Sequence, residues 1–334
     1  MKILAVNDYP LDLNNKFSKR NPSQHCWGMD YFVKRGNIVD TQIFLCKYNN
    51  RLMILIDRFL FNLKILFLSW NYDAVIAFNS PFIDFIGIFR MMHLTKAKVY
   101  TFIHHRGKDY QASKGFDKIF FISKDIMNQY KNNKRSQCVY MEWGPDIDFY
   151  DNIEKREQLN TKLSFISTGK TNRDFKLISN VFKDTDTSIT IINNHEVSKD
   201  GKIIKTKENN PICSKIISYS EMVQYMNDCD VSIIPIVPEL ASSSLCGLTS
   251  FIDALALGQP ILMSDNTNIS VDIDKLKIGL TYKAGDYENL KDKILYMKNN
   301  PQVVKEMGLN ARKYAERHSY EEFCKVLYQA IISE

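Results

Sequence analysis

Short apolar runs alternate with longer segments of helical periodicity along the whole chain. The apolar runs are rich in β-branched residues and are bounded by polar residues, which predicts buried strands. Strands are predicted at 3–6, 38–45, 74–77, 99–103, 119–122 and 139–141, and then at 163–167, 188–192, 215–217, 231–235, 260–263 and 279–282. Helices are predicted near 26–35, 51–69, 82–93 and 124–132, and then near 173–183, 220–228, 248–257, 286–299, 301–317 and 319–332. This alternation is typical of α/β proteins, in which helices cover both faces of parallel sheets.

The pattern is interrupted at 143–162, where a Gly-Pro pair precedes a charged run with few apolar positions. Such a composition favours a linker, and a chain of 334 residues is long enough for two domains. We therefore predict a first domain at 1–150 and a second domain that begins at 151. Open sheets bind ligands beyond the carboxyl ends of their strands, so two such domains would enclose a cleft.

Charge is distributed unevenly between the two halves. Residues 1–150 carry 21 basic and 13 acidic side chains, a net charge of +8, whereas the remaining residues carry 23 and 25, a net charge of −2. A basic first half suits an anionic surface or an anionic ligand, and a basic surface without any partner is the alternative.

Composition indicates a cytoplasmic protein without a structural metal. The seven cysteines are scattered, and no CxxC pair or Cys/His cluster occurs, so neither a metal site nor a disulfide framework is expected. The first apolar run is too short for a signal peptide and meets Asp8 at once. The most apolar segment, at 52–70, is not expected to cross a membrane because it is interrupted by Asp57, Arg58, Asn62 and Lys64.

The stretch Ser242–Asn266, SSSLCGLTSFIDALALGQPILMSDN, joins a loop of small polar residues to an apolar helix. Gly247 permits a tight turn, and Leu248, Thr249 and Ser250 open the helix. The free N–H groups and positive dipole end of a helix start form an anion site, to which the two hydroxyls add donors. A phosphate or diphosphate would fit there, and an ordinary capped helix is the alternative.

A single carboxylate, Asp253, lies one turn further along this helix among apolar residues. A carboxylate in such surroundings needs partners, and the hydroxyls of a sugar or a ribose would supply them. A solvent-facing position is the alternative, because charged residues are seldom fully buried.

The segment GLTSFIDALALGQPIL (247–262) resembles the nucleotide-sugar-binding stretch of the family-4-like GT-B glycosyltransferases. The resemblance extends over most of the chain, through FISTGKTNRDFKLI (165–178), YSEMVQYMNDCDVSIIPI (219–236), IGLTYKAGDYENLKDKI (278–294) and SYEEFCKVLYQAI (319–331). It implies two doubly wound, Rossmann-like parallel-sheet domains that face each other across a cleft. The second domain would span 151–318, and a helix at 319–334 would cross back to the first domain.

By this resemblance the second domain binds the donor. The donor-binding residues would be Lys170, Arg173, Gly247, Leu248, Thr249 and Asp253. Asp253 would hold the ribose hydroxyls and the others the diphosphate, so Asp253→Ala should weaken nucleotide binding and leave the fold intact. Leu245 stands where the group carries a second acid that touches the donor sugar, which leaves the sugar and the stereochemical course open.

Polar residues follow the carboxyl end of the strand at 99–103, among them His104, His105, Arg106 and Asp109, and His104, His105 and Asp109 are the candidate catalytic residues. By the resemblance, a histidine at this strand end faces the donor sugar near the reacting carbon. Neighbouring side chains of an extended segment point to opposite sides, so we expect one histidine of the pair to face the cleft and favour His104. The resembled group retains the anomeric configuration, whereas a general base at Asp109 or at this pair would give inversion. A histidine that only packs or caps is the alternative.

The segment at 22–33, PSQHCWGMDYFV, is assigned to the acceptor side. Gly28 would permit close approach of a ligand, and His25 and Trp27 would contact an acceptor sugar, Trp27 by stacking on it. A buried tryptophan and a glycine at a helix start are equally good interpretations.

The segment at 51–70 is apolar nearly all round, with Arg51, Arg58 and Lys64 placed among its aromatic residues. Such a helix is either enclosed in a core or laid on a membrane surface. Core packing is the more frequent case, while the basic first half favours contact with anionic lipid.

The expected function is transfer of a sugar, of hexosyl type, from a nucleotide diphosphate sugar to a hydroxyl of a glycan or lipid-linked glycan. The resemblance favours bacterial surface polysaccharide synthesis at the inner membrane face, with retention. No metal, cofactor or nucleic acid is expected, because cationic side chains would stabilise the leaving diphosphate. A nucleotide-sugar epimerase of the same fold and a non-catalytic nucleotide-sugar-binding protein are the alternatives. An NAD dehydrogenase is disfavoured because the first strand's exit lacks GxGxxG.

Overall fold

The computed structural model describes residues 1–13, 21–45, 48–79, 82–104, 115–130, 137–153, 162–169, 172–193, 204–205, 211–213, 218–238 and 245–332. Within them the chain forms two compact units. The second unit is Gly144–Glu322, and the first contains almost all of the preceding chain together with Phe323–Glu334.

The first unit is built on a six-stranded, all-parallel sheet. In chain order its strands are β1 (Lys2–Asn7), β2 (Ile38–Ile43), β3 (Ala74–Ala77), β4 (Lys98–Ile103), β5 (Lys118–Phe121) and β6 (Cys138–Tyr140), and their order across the sheet is β2-β1-β3-β4-β5-β6. Its helices are α1 (Met29–Lys34), α2 (Arg51–Ser69), α3 (Asp84–Met91) and α4 (Lys124–Gln129). The central strands β1 and β3 are buried almost throughout, as expected of apolar runs covered on both faces.

The second unit is built on a seven-stranded sheet. Its strands are β7 (Ser164–Thr168), β8 (Ser188–Ile192), β9 (Ile204–Lys205), β10 (Pro211–Cys213), β11 (Val231–Ile234), β12 (Ile261–Ser264) and β13 (Gly279–Tyr282). Their order is β13-β12-β11-β7-β8-β10-β9, and β9 alone pairs antiparallel. The helices are α5 (Ile147–Asp151), α6 (Phe175–Val181), α7 (Tyr219–Asn227), α8 (Leu248–Leu257), α9 (Tyr287–Asn299) and α10 (Pro301–Arg317).

The expected alternation of parallel strands and helices is confirmed in both units. Apolar residues form the centre of the second sheet, where the β-branched Val231, Ile233 and Ile191 pack in one core with Leu262 and Phe165. Burial of each such side chain contributes about 1.5–3 kcal/mol. The strand expected at 215–217 lies outside the described residues.

The last helix, α11 (Tyr320–Ile332), joins the two units in sequence, since Phe323 and the residues after it belong to the first unit. It packs against α1 through Tyr328, whose ring lies 4.9 Å from that of Phe32. Gly28 precedes α1 with φ of 84°, and a Cβ there would lie 2.9 Å from Leu327 Cδ2. The missing side chain of Gly28 therefore makes room for α11. This is a correction to the expected role of Gly28, which was to permit close approach of a ligand.

Helix α2 does not take the core position that its composition favours. Its buried residues are Asn62, Ile65 and Ser69, while large apolar residues such as Leu60 and Phe67 are exposed. One face of the segment therefore packs on the first unit, through Ile65 among others, and the other face is exposed, so the helix is not enclosed in a core. No helix among the described residues is long and apolar enough to cross a membrane.

Candidate functional site

The start of helix α8 is shaped by Gly247. Its φ of 95° is left-handed, and a Cβ would lie 2.6 Å from Ile234 Cγ2 of β11, so glycine is required there. The N–H of Leu248 donates to the carbonyl of Leu245 at 3.2 Å. Among the described residues, the N–H groups of Thr249 and Ser250 have no hydrogen-bond acceptor. The first turn of α8 thus presents two free donors at the positive end of the helix.

This helix start differs from those of α6, α7 and α9. Asp174 caps α6 by accepting from the Leu177 N–H, Ser218 caps α7 in a capping box, and Asp286 caps α9. Within the described part of the chain, no side chain caps α8, as is also the case for α5 and α10. An ordinary capped helix, the alternative considered for this stretch, is therefore not what the structure contains.

Arg173 lies against the same helix turn. Its Nε donates to the carbonyl of Thr168 at 3.1 Å, and one terminal nitrogen lies 3.4 Å from Ser250 Oγ. Gly169, with φ of 118°, leaves room for the guanidinium, since a Cβ there would lie 2.5 Å from that nitrogen. Burial lowers the pKa of Arg173 to about 10, so the group remains a cation at neutral pH. The structure brings this predicted cation together with the predicted anion-binding turn.

Two pairs of bonds fix the loop that carries Arg173. Ser250 Oγ donates to the Thr168 carbonyl at 3.1 Å and accepts from Thr168 Oγ1 at 2.9 Å. The Asp174 N–H donates to the carbonyl of Pro235 at 2.8 Å, and the Val237 N–H to that of Asn172 at 3.0 Å. The cation and the helix start are thus held in one arrangement by the sheet, which limits the reorganisation needed to bind an anion.

Asp253 is fully buried inside the second unit. Its Oδ1 accepts hydrogen bonds of 2.6 Å from the hydroxyls of both Tyr150 and Tyr219, and its Oδ2 has no partner among the described residues. Burial raises the pKa of Asp253 to about 7, against the two tyrosine bonds, which lower it. Two tyrosines of the protein itself thus hold one oxygen of this carboxyl, and the ribose role of Asp253 stays a prediction.

Sequence reasoning missed both tyrosines. Tyr150 lies on the short helix α5 and Tyr219 opens α7, and they are 103 and 34 residues from the acid they contact. The only available signal was that a carboxylate among apolar residues requires donors. That signal was interpreted as a ligand, whereas the protein supplies the donors itself.

His104 follows β4 in the first unit and is half-buried. Its Nε2 donates to the backbone carbonyl of Phe78, and its ring stacks on Phe102 at 6.2 Å and meets Trp27 edge-on at 5.2 Å. This bond fixes a proton on Nε2, so that nitrogen is not available as a base in this arrangement. His105 and Asp109 lie outside the described residues, as does Lys170 of the second unit.

The aromatic residues expected on the acceptor side are buried. The Trp27 ring stacks on Phe78 at 5.6 Å and on Trp143 at 5.0 Å, and its Nε1 donates to Tyr9 Oη at 2.8 Å. His25 lies edge-on to Trp143, and burial lowers its pKa to about 4. The expected stacking of Trp27 on an acceptor sugar does not fit this packing, because the rings of Phe78 and Trp143 already cover the Trp27 ring. No group of three or more metal-ligating side chains occurs in the described part of the chain.

No protein-family model matches the sequence. A curated relative, an uncharacterized glycosyltransferase (MJ1178) of Methanocaldococcus jannaschii, is 22% identical over 218 residues, which are 63% of this chain and 58% of the relative. The match thus spans less than two thirds of that relative's length.

Solved structures match over the whole chain. Sucrose-phosphate synthase from Thermosynechococcus elongatus has a TM-score of 0.73 at 10% identity and 98% coverage of both chains. Anabaena HepE in complex with UDP has 0.68 at 10% identity, and WaaG, described as a glycosyltransferase involved in lipopolysaccharide biosynthesis, has 0.67 at 12% identity. Both of these alignments cover all of each chain. The predicted GT-B fold, with two Rossmann-like parallel-sheet units, is confirmed.

Proposed function

We propose that this protein is a glycosyltransferase that takes its sugar from a nucleotide diphosphate sugar. The observation that carries the proposal is the uncapped start of α8 beside the half-buried cation Arg173. It is supported by the name of the curated relative and by the UDP bound to a protein of the same fold.

The chemistry of the site suits departure of a diphosphate. Breaking the bond between the sugar and the phosphate leaves additional negative charge on the diphosphate. The N–H groups of Thr249 and Ser250 and the guanidinium of Arg173 are donors fixed before the reaction, so they stabilise that charge without reorganising. Lys170, close to Arg173 in sequence, is proposed as a further cation.

The acceptor is proposed to be a hydroxyl of a glycan or lipid-linked glycan in bacterial surface polysaccharide synthesis. Retention of the anomeric configuration, independence of metal ions and residence at the cytoplasmic face of the membrane belong to the same proposal. They rest on the sequence resemblance and on the basic first half of the chain. His104 is the proposed histidine facing the donor sugar, as a hydrogen-bond partner and not as a base at Nε2.

Nucleotide binding tests this proposal directly. Ligand-detected NMR with a panel of nucleotides and nucleotide sugars should show selective binding of one nucleotide sugar by the whole chain. Arg173→Ala should weaken that binding at least tenfold, because charge-assisted hydrogen bonds contribute about 1.5–3 kcal/mol. Lys305→Ala removes an exposed cation of α10 and serves as the control.

Three outcomes decide between the activities. Sugar transfer to an added acceptor supports the transferase, whereas conversion of the donor without an acceptor identifies an epimerase. Absence of binding by the folded protein across the panel contradicts both activities and favours a non-catalytic role.

A further inference from the structure

Helix α2 places its apolar side chains outward. Leu52, Leu60 and Phe67 are 65%, 58% and 73% exposed, and Trp70, directly after the helix, is 73% exposed. With Ile56, which is also exposed, these positions fall within about 80° of one another at 100° per residue. They form one continuous row, called here the α2 stripe.

The opposite side of α2 packs against the rest of the unit through apolar and polar residues. Ile65 is fully buried, and the Phe61 ring lies 5.0 Å from that of Phe44. Arg58 forms an ion pair with Asp84 of α3. Asn62 is fully buried: its Nδ2 donates to the Phe82 carbonyl at 3.0 Å, and its Oδ1 accepts from the Ile86 N–H at 3.1 Å. Turning the helix to bury the stripe would break these bonds and leave buried groups unsatisfied, so its outward orientation is specified by the fold.

A second buried bond fixes the end of the helix. The Ser69 hydroxyl lies 2.7 Å from that of Thr95, and both side chains are buried. Polar contacts therefore fix the helix at its middle and at its end, beside the buried Ile65.

The apolar surface continues onto α3. Phe59 packs edge-on to Phe85 at 5.2 Å and to Phe89 at 6.5 Å. Beyond these rings the exposed apolar residues are Ile88, Met91, Met92 and Leu94. Two neighbouring helices thus expose apolar side chains together, which is typical of a surface that contacts something other than water.

Cations accompany this surface. Arg51 lies at the start of α2, Lys64 on its flank, and Lys96 shortly after Leu94, and all three are exposed. Lys64 is bonded to the neutral amide of Gln42, so its charge is not neutralised by that contact. The first 150 residues carry a net charge of +8. Apolar and aromatic residues accompanied by basic ones match the interface of an anionic bilayer.

We propose that the α2 stripe and the exposed end of α3 bind the surface of an anionic membrane, with α2 lying in the plane of the interface. A second copy of the chain fits less well, because a symmetric contact would bring the cations of both copies together. The role of this membrane contact rests on the proposed function: it would hold the enzyme where a lipid-linked acceptor is found. The binding surface itself is independent of catalysis.

Vesicle flotation of the whole protein tests the proposal. The protein should float with vesicles of phosphatidylglycerol and phosphatidylcholine, and added salt should weaken this binding. The double variant Leu60→Glu with Phe67→Glu should reduce the partition coefficient at least tenfold, because two large apolar side chains that would enter the bilayer interface are replaced by charged ones. Leu309→Glu on α10, which is 55% exposed, is the matched control and should float as the wild type does.

Two results would overturn the proposal. One is no flotation of the wild type with anionic vesicles, and the other is unchanged flotation of the double variant. A dimer that the double variant converts to a monomer, together with no flotation, would identify a second copy as the partner. Nucleotide-sugar binding measured on the same samples separates this from the donor site: flotation without nucleotide binding would contradict only the proposed function.

Discussion

Helices α2 and α8 have similar mixtures of apolar and polar residues and place them in opposite ways. Helix α8 buries nearly everything, including its one acid, Asp253. Helix α2 exposes its apolar row and buries Asn62 and Ser69. In both helices the buried polar side chains have donors or acceptors on other elements. The difference shows that the partners of the polar residues, more than the apolar content, determine which face of a helix points inward.

The largest effect is expected from removing the acid of α8. Asp253→Ala removes the common acceptor of the buried hydroxyls of Tyr150 and Tyr219, which lie 3.2 Å from each other, and creates a small cavity. An unsatisfied buried donor costs about 1–3 kcal/mol and the cavity adds to it, so a loss of about 4 kcal/mol in the free energy of unfolding is expected. Urea denaturation followed by circular dichroism measures it.

Asp253→Asn serves as the control, since its amide oxygen can still accept a bond from a tyrosine. An unfolding free energy of Asp253→Ala equal to that of the wild type would show that the tyrosine contacts are not important for the fold. Loss of nucleotide binding in Asp253→Ala with no loss of stability would instead support the ribose assignment.

The fold was predictable because its signals are local. Runs such as those of β3 and β11 are short, β-branched and apolar, and they became buried parallel strands. The start of α8 was predictable for the same reason: Gly247 and the donors that follow it lie in one stretch of chain. Arg173 was placed beside them by the resemblance to the known glycosyltransferases.

Contacts between distant segments could not be predicted from the sequence. Nothing local connects Tyr150 to an acid 103 residues away. Trp27 had the composition of a sugar platform, yet its ring faces are occupied by Phe78 and Trp143, which are far from it in sequence. For α2, apolar content was compatible with either orientation until the partners of Asn62 were known.

A pH dependence follows from the burial of Asp253. The pKa of its carboxyl is raised from 3.8 to about 7 in the folded protein, so between about pH 4 and 7 the folded state holds a proton that the unfolded state has released. Stability is then highest below this window and falls as the pH rises through it, by about 4 kcal/mol in total.

Asp253→Asn does not titrate and should lack this slope. Thermal unfolding of both proteins from pH 4 to 8 should therefore show Asn gaining stability relative to Asp as the pH rises. His25, whose pKa is lowered to about 4, contributes an opposite slope in both proteins and cancels in the difference. A constant difference between the two curves would mean that Asp253 titrates alike in the folded and unfolded states.

A smaller loss is expected on the polar side of α2. Asn62→Leu makes the helix more apolar but removes the Asn62 donor to the Phe82 carbonyl. It also removes one of the two acceptors of the Ile86 N–H, which keeps the Ile83 carbonyl at 3.0 Å. We expect a loss of about 1–3 kcal/mol in the free energy of unfolding, because the Phe82 carbonyl loses this donor in a buried position. Unfolding in urea, compared with the wild type, measures it. A variant as stable as the wild type would show that the orientation of α2 is not set by this residue.

The smallest effect is expected two positions away. Leu60→Gln makes α2 more polar, yet Leu60 is exposed, so its unfolding free energy should change by less than about 0.5 kcal/mol. The two variants form a matched pair. Asn62→Leu adds an apolar side chain and should destabilise the protein, whereas Leu60→Gln removes one and should not. Leu60→Gln should nevertheless weaken vesicle binding, because the Leu60 side chain is removed from water only when α2 contacts the bilayer. A loss of stability in Leu60→Gln comparable to that of Asn62→Leu would mean that the α2 stripe is packed against the protein itself, and the contrast between α2 and α8 would no longer hold.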